Sequence, residues 1–212
     1  MRRHGLTSVL RGLDLHVASG ERIALLGDNG SGKTTLLRIL AGLLVPDAGT
    51  VSVFGSDPRD AAVRAHVGYA GHDPGLYPRL TALENLRFRA RLYNRGAHRA
   101  RDLLSTVGID PADRRRVATY SNGMKRRVAI ACALLPDPKL LLLDEPFAGL
   151  DEPGAEALVS VLAGRGPAVL IATHEPDRVR TVADRLLTLR GGLLHESPVI
   201  LDRVSPAHEP LQ

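Results

Sequence analysis

Tryptophan is absent from the 212 residues, and phenylalanine and tyrosine leave aromatics at only 3%. A surface that stacks successive bases of a single strand has almost no material here, so no nucleic-acid partner is expected. Cysteine occurs once, as Cys132. One thiol builds no disulfide framework, and its place inside VAIACALL predicts a buried, unreactive side chain. Missing too is any apolar run of about 18 residues, the length a membrane-spanning helix needs. The longest runs, such as LLLL at 140–143, are strand-sized. The opening MRRHGLTSVLRG carries charge without the apolar stretch of a secretory signal, and a cytosolic protein is the expectation. No internal repeat, low-complexity block or long linker divides the chain.

A hydrophobic content of 44% suffices to bury a full core over this length, as one domain or one domain with an inserted lobe. The net charge is +5, and 25 of the 28 basic residues are arginine. Such a balance suits nucleic acid, an anionic membrane surface or an ordinary solvated surface. Arg114, Arg115 and Arg116 read as a solvated face and receive no function.

Short apolar runs alternate with helix-like stretches. IALL (23–26), VSVF (51–54), LLLL (140–143), VLIAT (169–173) and LLTL (186–189) read as strands. TTLLRILAGLL (34–44) and GAEALVSVLAG (154–164) read as helices, and the alternation implies a largely parallel sheet with helices on its faces. From about Leu83 to Leu135 the pattern turns helical: ENLRFRARLYN, AHRARDLLSTVG, then MKRRVAIACALL stopped by Pro136. A helical lobe inserted into a parallel α/β core is the coarse picture.

GDNGSGKTT, Gly27 to Thr35, fits G-x-x-x-x-G-K-[ST] and lies between a predicted strand and a predicted helix, where that motif belongs. Gly27, Asn29, Gly30, Ser31 and Gly32 form a loop whose amides can face a phosphate, helped by the helix N-terminus. Lys33 can neutralise β- and γ-phosphates, and the hydroxyl of Thr34, followed by Thr35, can ligate Mg²⁺. LLLLDEP (140–146) delivers two carboxylates at a strand end, where open parallel sheets collect ligands. Asp144 suits Mg²⁺, directly or through water, and Glu145 suits deprotonation of an attacking water. His174 ends another predicted strand. Alone it reads as a structural hydrogen-bonding residue; beside a glutamate and a γ-phosphate it becomes a donor. In YSNGMKRRVAIA, Ser121 is either a plain N-cap or, with the amides of Asn122 and Gly123, a second anion site. With one nucleotide loop per chain, that second site would serve the ATP of another copy, implying a homodimer.

The order GDNGSGKTT, YSNGM, LLLLDEP, AGLD (148–151) and TH (173–174) resembles the ATP-binding subunit of an ABC transporter along nearly the whole chain. The resemblance implies an α/β fold: a P-loop NTPase (RecA-like) core with a mostly parallel sheet, an inserted helical subdomain and a shortened N-terminal antiparallel region. It implies one ATP-binding domain over 1–212, its core at about 1–75 and 136–212 and its helical subdomain at about 76–135. YSNGM corresponds to the signature motif, usually L-S-G-G-Q, which Ser121 and Gly123 match while Tyr120, Asn122 and Met124 depart. Asp151 falls on the aspartate that couples the two sites of the dimer. Implied ligands are ATP and Mg²⁺. Implied partners are a second copy and an integral membrane transporter subunit, with the chain peripheral on the cytoplasmic face of the cell membrane.

The family usually reads I-G-Y-V-P-Q where this chain has VGYAGH, placing His72 on the glutamine that touches Mg²⁺ or the attacking water. Imidazole can fill that role, with Asp73 holding its other nitrogen; a solvent-facing His72 is the alternative. The Gly71-His72 pair and LTALENLRF (80–88) are similar to the haem-exporter ATPases of cytochrome c biogenesis (CcmA). Export of haem is therefore expected. Exporters of drugs, lipids or polysaccharides share much of this wording, and a soluble ABC ATPase of nucleic-acid or iron–sulfur metabolism is the further alternative. Family members usually begin with a strand and an aromatic residue that stacks on adenine. Here that strand is missing and His4 takes the aromatic position, or the true start lies upstream.

Overall fold

The structure is a computed structural model that describes residues 10–164 and 166–197. Its strands form where short apolar runs meet turn residues: β1 (Arg22–Leu26), β2 (Val67–Ala70), β3 (Leu140–Asp144), β4 (Ala168–Thr173), β5 (Arg185–Arg190) and β6 (Leu193–Ser197). They make one sheet in the order β2-β3-β4-β1-β5-β6. All pairings are parallel except β5 with β6, which close antiparallel around Gly191 and Gly192. The expected α/β architecture is present.

Strand periodicity divides the core. Ile23, Leu25, Leu140, Leu142 and Leu170 face one side, where they meet α1 (Lys33–Leu40) and α2 (Ala61–Arg64). Ala24, Leu141, Leu143, Val169 and Ile171 face the other, against α5 (Asn122–Leu134) and α6 (Glu152–Ala163). Because β3 and β4 are covered on both faces, their sequences are continuous apolar runs rather than alternating ones. Each such leucine or isoleucine contributes about 1.5–3 kcal/mol through burial.

Helix α3 (Ala82–Leu92) starts at a capping box: the Thr81 hydroxyl accepts the Glu84 amide at 3.2 Å, and Glu84 accepts the Thr81 amide at 2.8 Å. With α4 (Ala97–Thr106) it packs beside α5. Buried Asn85 holds the loop ahead of α3, accepting the Tyr77 amide at 2.8 Å and donating to the carbonyls of Tyr77 and Thr81. A short helix, α7 (Pro176–Val179), follows β4. Among the described residues, no helix is long and apolar enough to cross a membrane.

Three expectations need correction. VSVF is not a strand: Phe54 (φ 54) and Gly55 (φ 81) turn the chain inside the run, leaving an isolated bridge between Val53 and Ser56. The first helix ends at Leu40 rather than Leu44. Gly42 is left-handed there (φ 68), its amide bonds the Ile39 carbonyl, and the Leu43 amide bonds that of Arg38, a Schellman stop. Third, VGYA, read from sequence only as part of a motif, is strand β2, paired with β3 from Val67↔Leu140 to Ala70↔Leu143.

Candidate functional site

The loop between β1 and α1 is built on glycine. Gly27 (φ 150), Gly30 (φ 81) and Gly32 (φ 112) occupy conformations that side chains disfavour, and a Cβ at Gly27 would lie 2.6 Å from the Leu189 carbonyl oxygen. Asn29 is exposed at its tip, and Gly32 caps α1. Lys33 is buried and folds back, its Nζ donating to the carbonyls of Gly27 at 2.6 Å and Asp28 at 3.2 Å. Ser31 Oγ is buried in the same loop with no hydrogen-bond partner. Thr35 is half-buried.

Strand β3 ends beside this loop. The Thr34 hydroxyl donates to Asp144 Oδ2 at 2.8 Å, and Asp144 is 2% exposed. Glu145 follows with φ 51, a left-handed backbone rare for a residue with a Cβ. Its amide bonds the Ala172 carbonyl on β4 at 2.8 Å, which turns the side chain toward both neighbours. Glu145 Oε1 lies 3.9 Å from Lys33 Nζ, and Oε2 lies 2.9 Å from Nδ1 of His174. The short bonds of Lys33 go to carbonyls, so its pairing with Glu145 is a long-range attraction. The hydrogen bond that His174 donates to Glu145 raises the imidazole pKa above its ordinary value, with the glutamate's charge adding to it. Lys33, Thr34, Asp144, Glu145 and His174 thus converge from three strand ends into one crevice, able to neutralise a polyanion and accept a proton from water.

Other candidates lie elsewhere. Ser121 caps α5, its hydroxyl accepting the Met124 amide at 3.1 Å, while Asn122 is exposed. Gly123 is buried where a Cβ would meet the Gly149 carbonyl oxygen at 2.4 Å, so the signature turn packs directly on AGLD. Asp151 caps α6 by accepting the Gly154 amide at 3.2 Å, with Arg127 Nη2 at 4.0 Å. Among the described residues, no hydrogen bond or ion pair joins Ser121, Asn122 or Gly123 to the crevice. His72 is exposed. Asp73 does not hold its imidazole; Oδ1 instead accepts the Gly75 amide at 3.0 Å, a local turn. His4 lies outside the described residues.

Sequence reasoning missed Arg126, buried on α5 and bonded to the carbonyls of Gly71 and Asp144. The spacing of Arg126, Ile130 and Ala133, all buried, was the available signal, since it puts an arginine on the apolar face of the helix.

The profile of the ABC transporter family matches residues 10–148. The chain is similar to the daunorubicin resistance ATP-binding protein DrrA3 of Streptomyces coeruleorubidus, 42% identical over 90% of this chain and 63% of that protein. It is also similar to the Fe(3+) ions import ATP-binding protein FbpC of Streptomyces coelicolor, 41% identical over 94% of this chain and 60% of that one. It therefore spans less than two thirds of either relative. Among solved structures, the dimeric post-hydrolysis state of the ATP-binding cassette MJ0796 bound to ADP and Pi superposes with a TM-score of 0.85. That match covers 93% of this chain and 94% of the other at 27% identity. A profile spanning more than half of the chain, and relatives above 40% identity along nearly all of it, leave one assignment: this chain belongs to the ABC transporter family.

Proposed function

We propose that the chain is the ATP-hydrolysing subunit of an ABC exporter. It is one ATP-binding domain over 1–212, with its core at about 1–75 and 136–212 and its helical subdomain at about 76–135. The convergence of Lys33, Thr34, Asp144, Glu145 and His174 at one end of the sheet carries this reading. In the proposed reaction a water oxygen attacks the γ-phosphorus, the bond from that phosphorus to the β–γ bridging oxygen breaks, and ADP leaves. Glu145 takes the water's proton, Lys33 offsets the phosphate charge, and His174, oriented by Glu145, donates to the γ-phosphate. A phosphate oxygen would also satisfy the orphaned Ser31 hydroxyl.

The residues fit Mg²⁺. Thr34 and Asp144 offer hard oxygen donors 2.8 Å apart. Among the described residues no group of three or more His, Cys, Asp or Glu gathers to form a protein cage. A cation held by these two oxygens would need its remaining ligands from outside the protein, which suits Mg²⁺. Held by Thr34 and Asp144, it would supply charge neutralisation to a bound polyphosphate; positioning and proton transfer would belong to the side chains.

In this reading two copies enclose two ATP molecules, with Ser121, Asn122 and Gly123 of one facing Lys33 of the other and Asp151 between the sites. The likeness to a dimeric cassette supports that arrangement. The dimer sits on the cytoplasmic face of the membrane against an integral transporter subunit, and His72 passes closure to it. For cargo, the Gly71-His72 pair and LTALENLRF favour haem for cytochrome c biogenesis, whereas the likeness to DrrA3 favours a drug or similar amphipathic compound. FbpC is named as an importer, so the direction of transport belongs to the proposal. Turnover stimulated by haem or by drug, measured with the co-purified membrane subunit, separates the two.

Glu145→Gln tests the chemistry. The variant should bind ATP, lose about 10²-fold or more in turnover, and accumulate as an ATP-bound dimer on gel filtration. Hydrolysis at the parental rate rejects the assignment.

A further inference from the structure

We propose that Arg126 is a positioning residue that sets the separation between the start of the His72 loop and the end of the strand carrying Asp144 and Glu145. Its consequence for turnover rests on the ATPase reading above; its structural part does not. Strands β2 and β3 run parallel, and their last ladder pair is Ala70↔Leu143. The next residues are Gly71, just past the end of β2, and Asp144, the last of β3. A single nitrogen, Arg126 Nη1, donates to both of their carbonyls, at 2.9 and 3.1 Å, so the guanidinium continues the junction where the ladder stops.

Helix α5 is placed to do this. A Cβ at Gly68 would lie 2.2 Å from the Ala133 carbonyl oxygen, so helix and strand touch backbone to backbone there. From Ala133 back to Arg126 the helix rises about 10 Å, and from Gly68 on to Gly71 the strand advances about 10 Å. The two elements run in opposite directions, and the contact at one end delivers the guanidinium to the other. The Tyr69 ring packs close to Gly71, where a Cβ would lie 2.7 Å from its hydroxyl. Arg126 is 7% exposed, and its hydrogen bonds run to backbone carbonyls rather than carboxylates. Burial lowers its pKa, while Asp144 and Glu145 act in the opposite direction. A buried guanidinium stays charged and binds carbonyls strongly. His72 and Glu145 each follow a tethered carbonyl by one residue, so the length of this bridge fixes where both begin.

The test uses the full chain with Arg126→Met, which keeps an unbranched side chain but no donors, and Arg126→Lys. Amide hydrogen exchange without nucleotide should rise about tenfold or more over residues 71–76 in Arg126→Met, with α1 unchanged and Arg126→Lys intermediate. In ATP turnover, Arg126→Met should lower kcat about tenfold while KM stays within about twofold. His72→Ala should then cost nothing further in that background. Unchanged exchange over 71–76, or a rise shared equally by α1, overturns the proposal, the second outcome marking general destabilisation. A parental chain that hydrolyses no ATP would reject the ATPase reading, and the exchange comparison would still decide Arg126.

Discussion

Gly68→Ala perturbs the junction between β2 and α5 without touching the crevice. The added methyl would lie 2.2 Å from the Ala133 carbonyl oxygen and 3.0 Å from Leu141 Cδ1. Carbon and oxygen settle at about 3.3 Å or more, so strand and helix must part by about 1 Å. The obstructing atom belongs to helix backbone and cannot swing aside as a flexible side chain would. Overpacking of this kind costs about 1–3 kcal/mol, and a backbone obstacle places this site at the upper end. For a chain of this size each kcal/mol lowers Tm by about 2–4 °C, giving a fall of about 6–12 °C. Calorimetry measures it, and urea unfolding with an unchanged m-value checks that the cost lies in the native state. Gly166→Ala is the control, because a Cβ there has nothing within 4 Å. A Tm for Gly68→Ala within about 2 °C of the parent would refute the contact argument.

Burial pushes the Cys132 thiol up to about 11. The native protein should therefore resist thiol reagents at pH 8 and react once unfolded in urea; rapid native labelling would contradict the buried placement. His174 should titrate above its ordinary 6.5 in an NMR experiment, and Glu145→Gln should return it toward that value. Because the folded pKa is raised, the pair's contribution to stability is complete below 6.5 and fades as pH rises through the folded value. The imidazole is 53% exposed, so solvent screening keeps that contribution small.

The crevice was legible because its parts are local. The loop between β1 and α1 declares itself through glycine spacing, and carboxylates at the end of LLLL through the strand that presents them. The helical stretch was legible too, since α3, α4 and α5 bury apolar residues at helical spacing, such as Leu86 and Ala90, Ala100 and Leu104, and Val128 and Ala131. Where reading failed, the deciding contact was distant or the element short. β2 has four residues, one of them glycine, and becomes a strand by pairing with β3, 73 residues on. VSVF has the composition of a strand, yet a turn at Phe54 and Gly55 ends it. The stop at Gly42 was there to be read, because a glycine after an apolar run marks a helix end, but the leucines beyond it invited a longer helix. Ser121 and Asp151 illustrate a different limit: each caps a helix of its own chain, and a cap neither supports nor opposes the role proposed for it between two copies.

Glu145 stands in a left-handed backbone that glycine or asparagine would occupy more comfortably. A strained residue of this kind costs about 1–3 kcal/mol. The position therefore sets selection for robustness against selection for turnover. Libraries screened for heat tolerance alone should enrich glycine or asparagine at 145, and under the proposed reaction the hardier proteins recovered would be those that no longer split ATP.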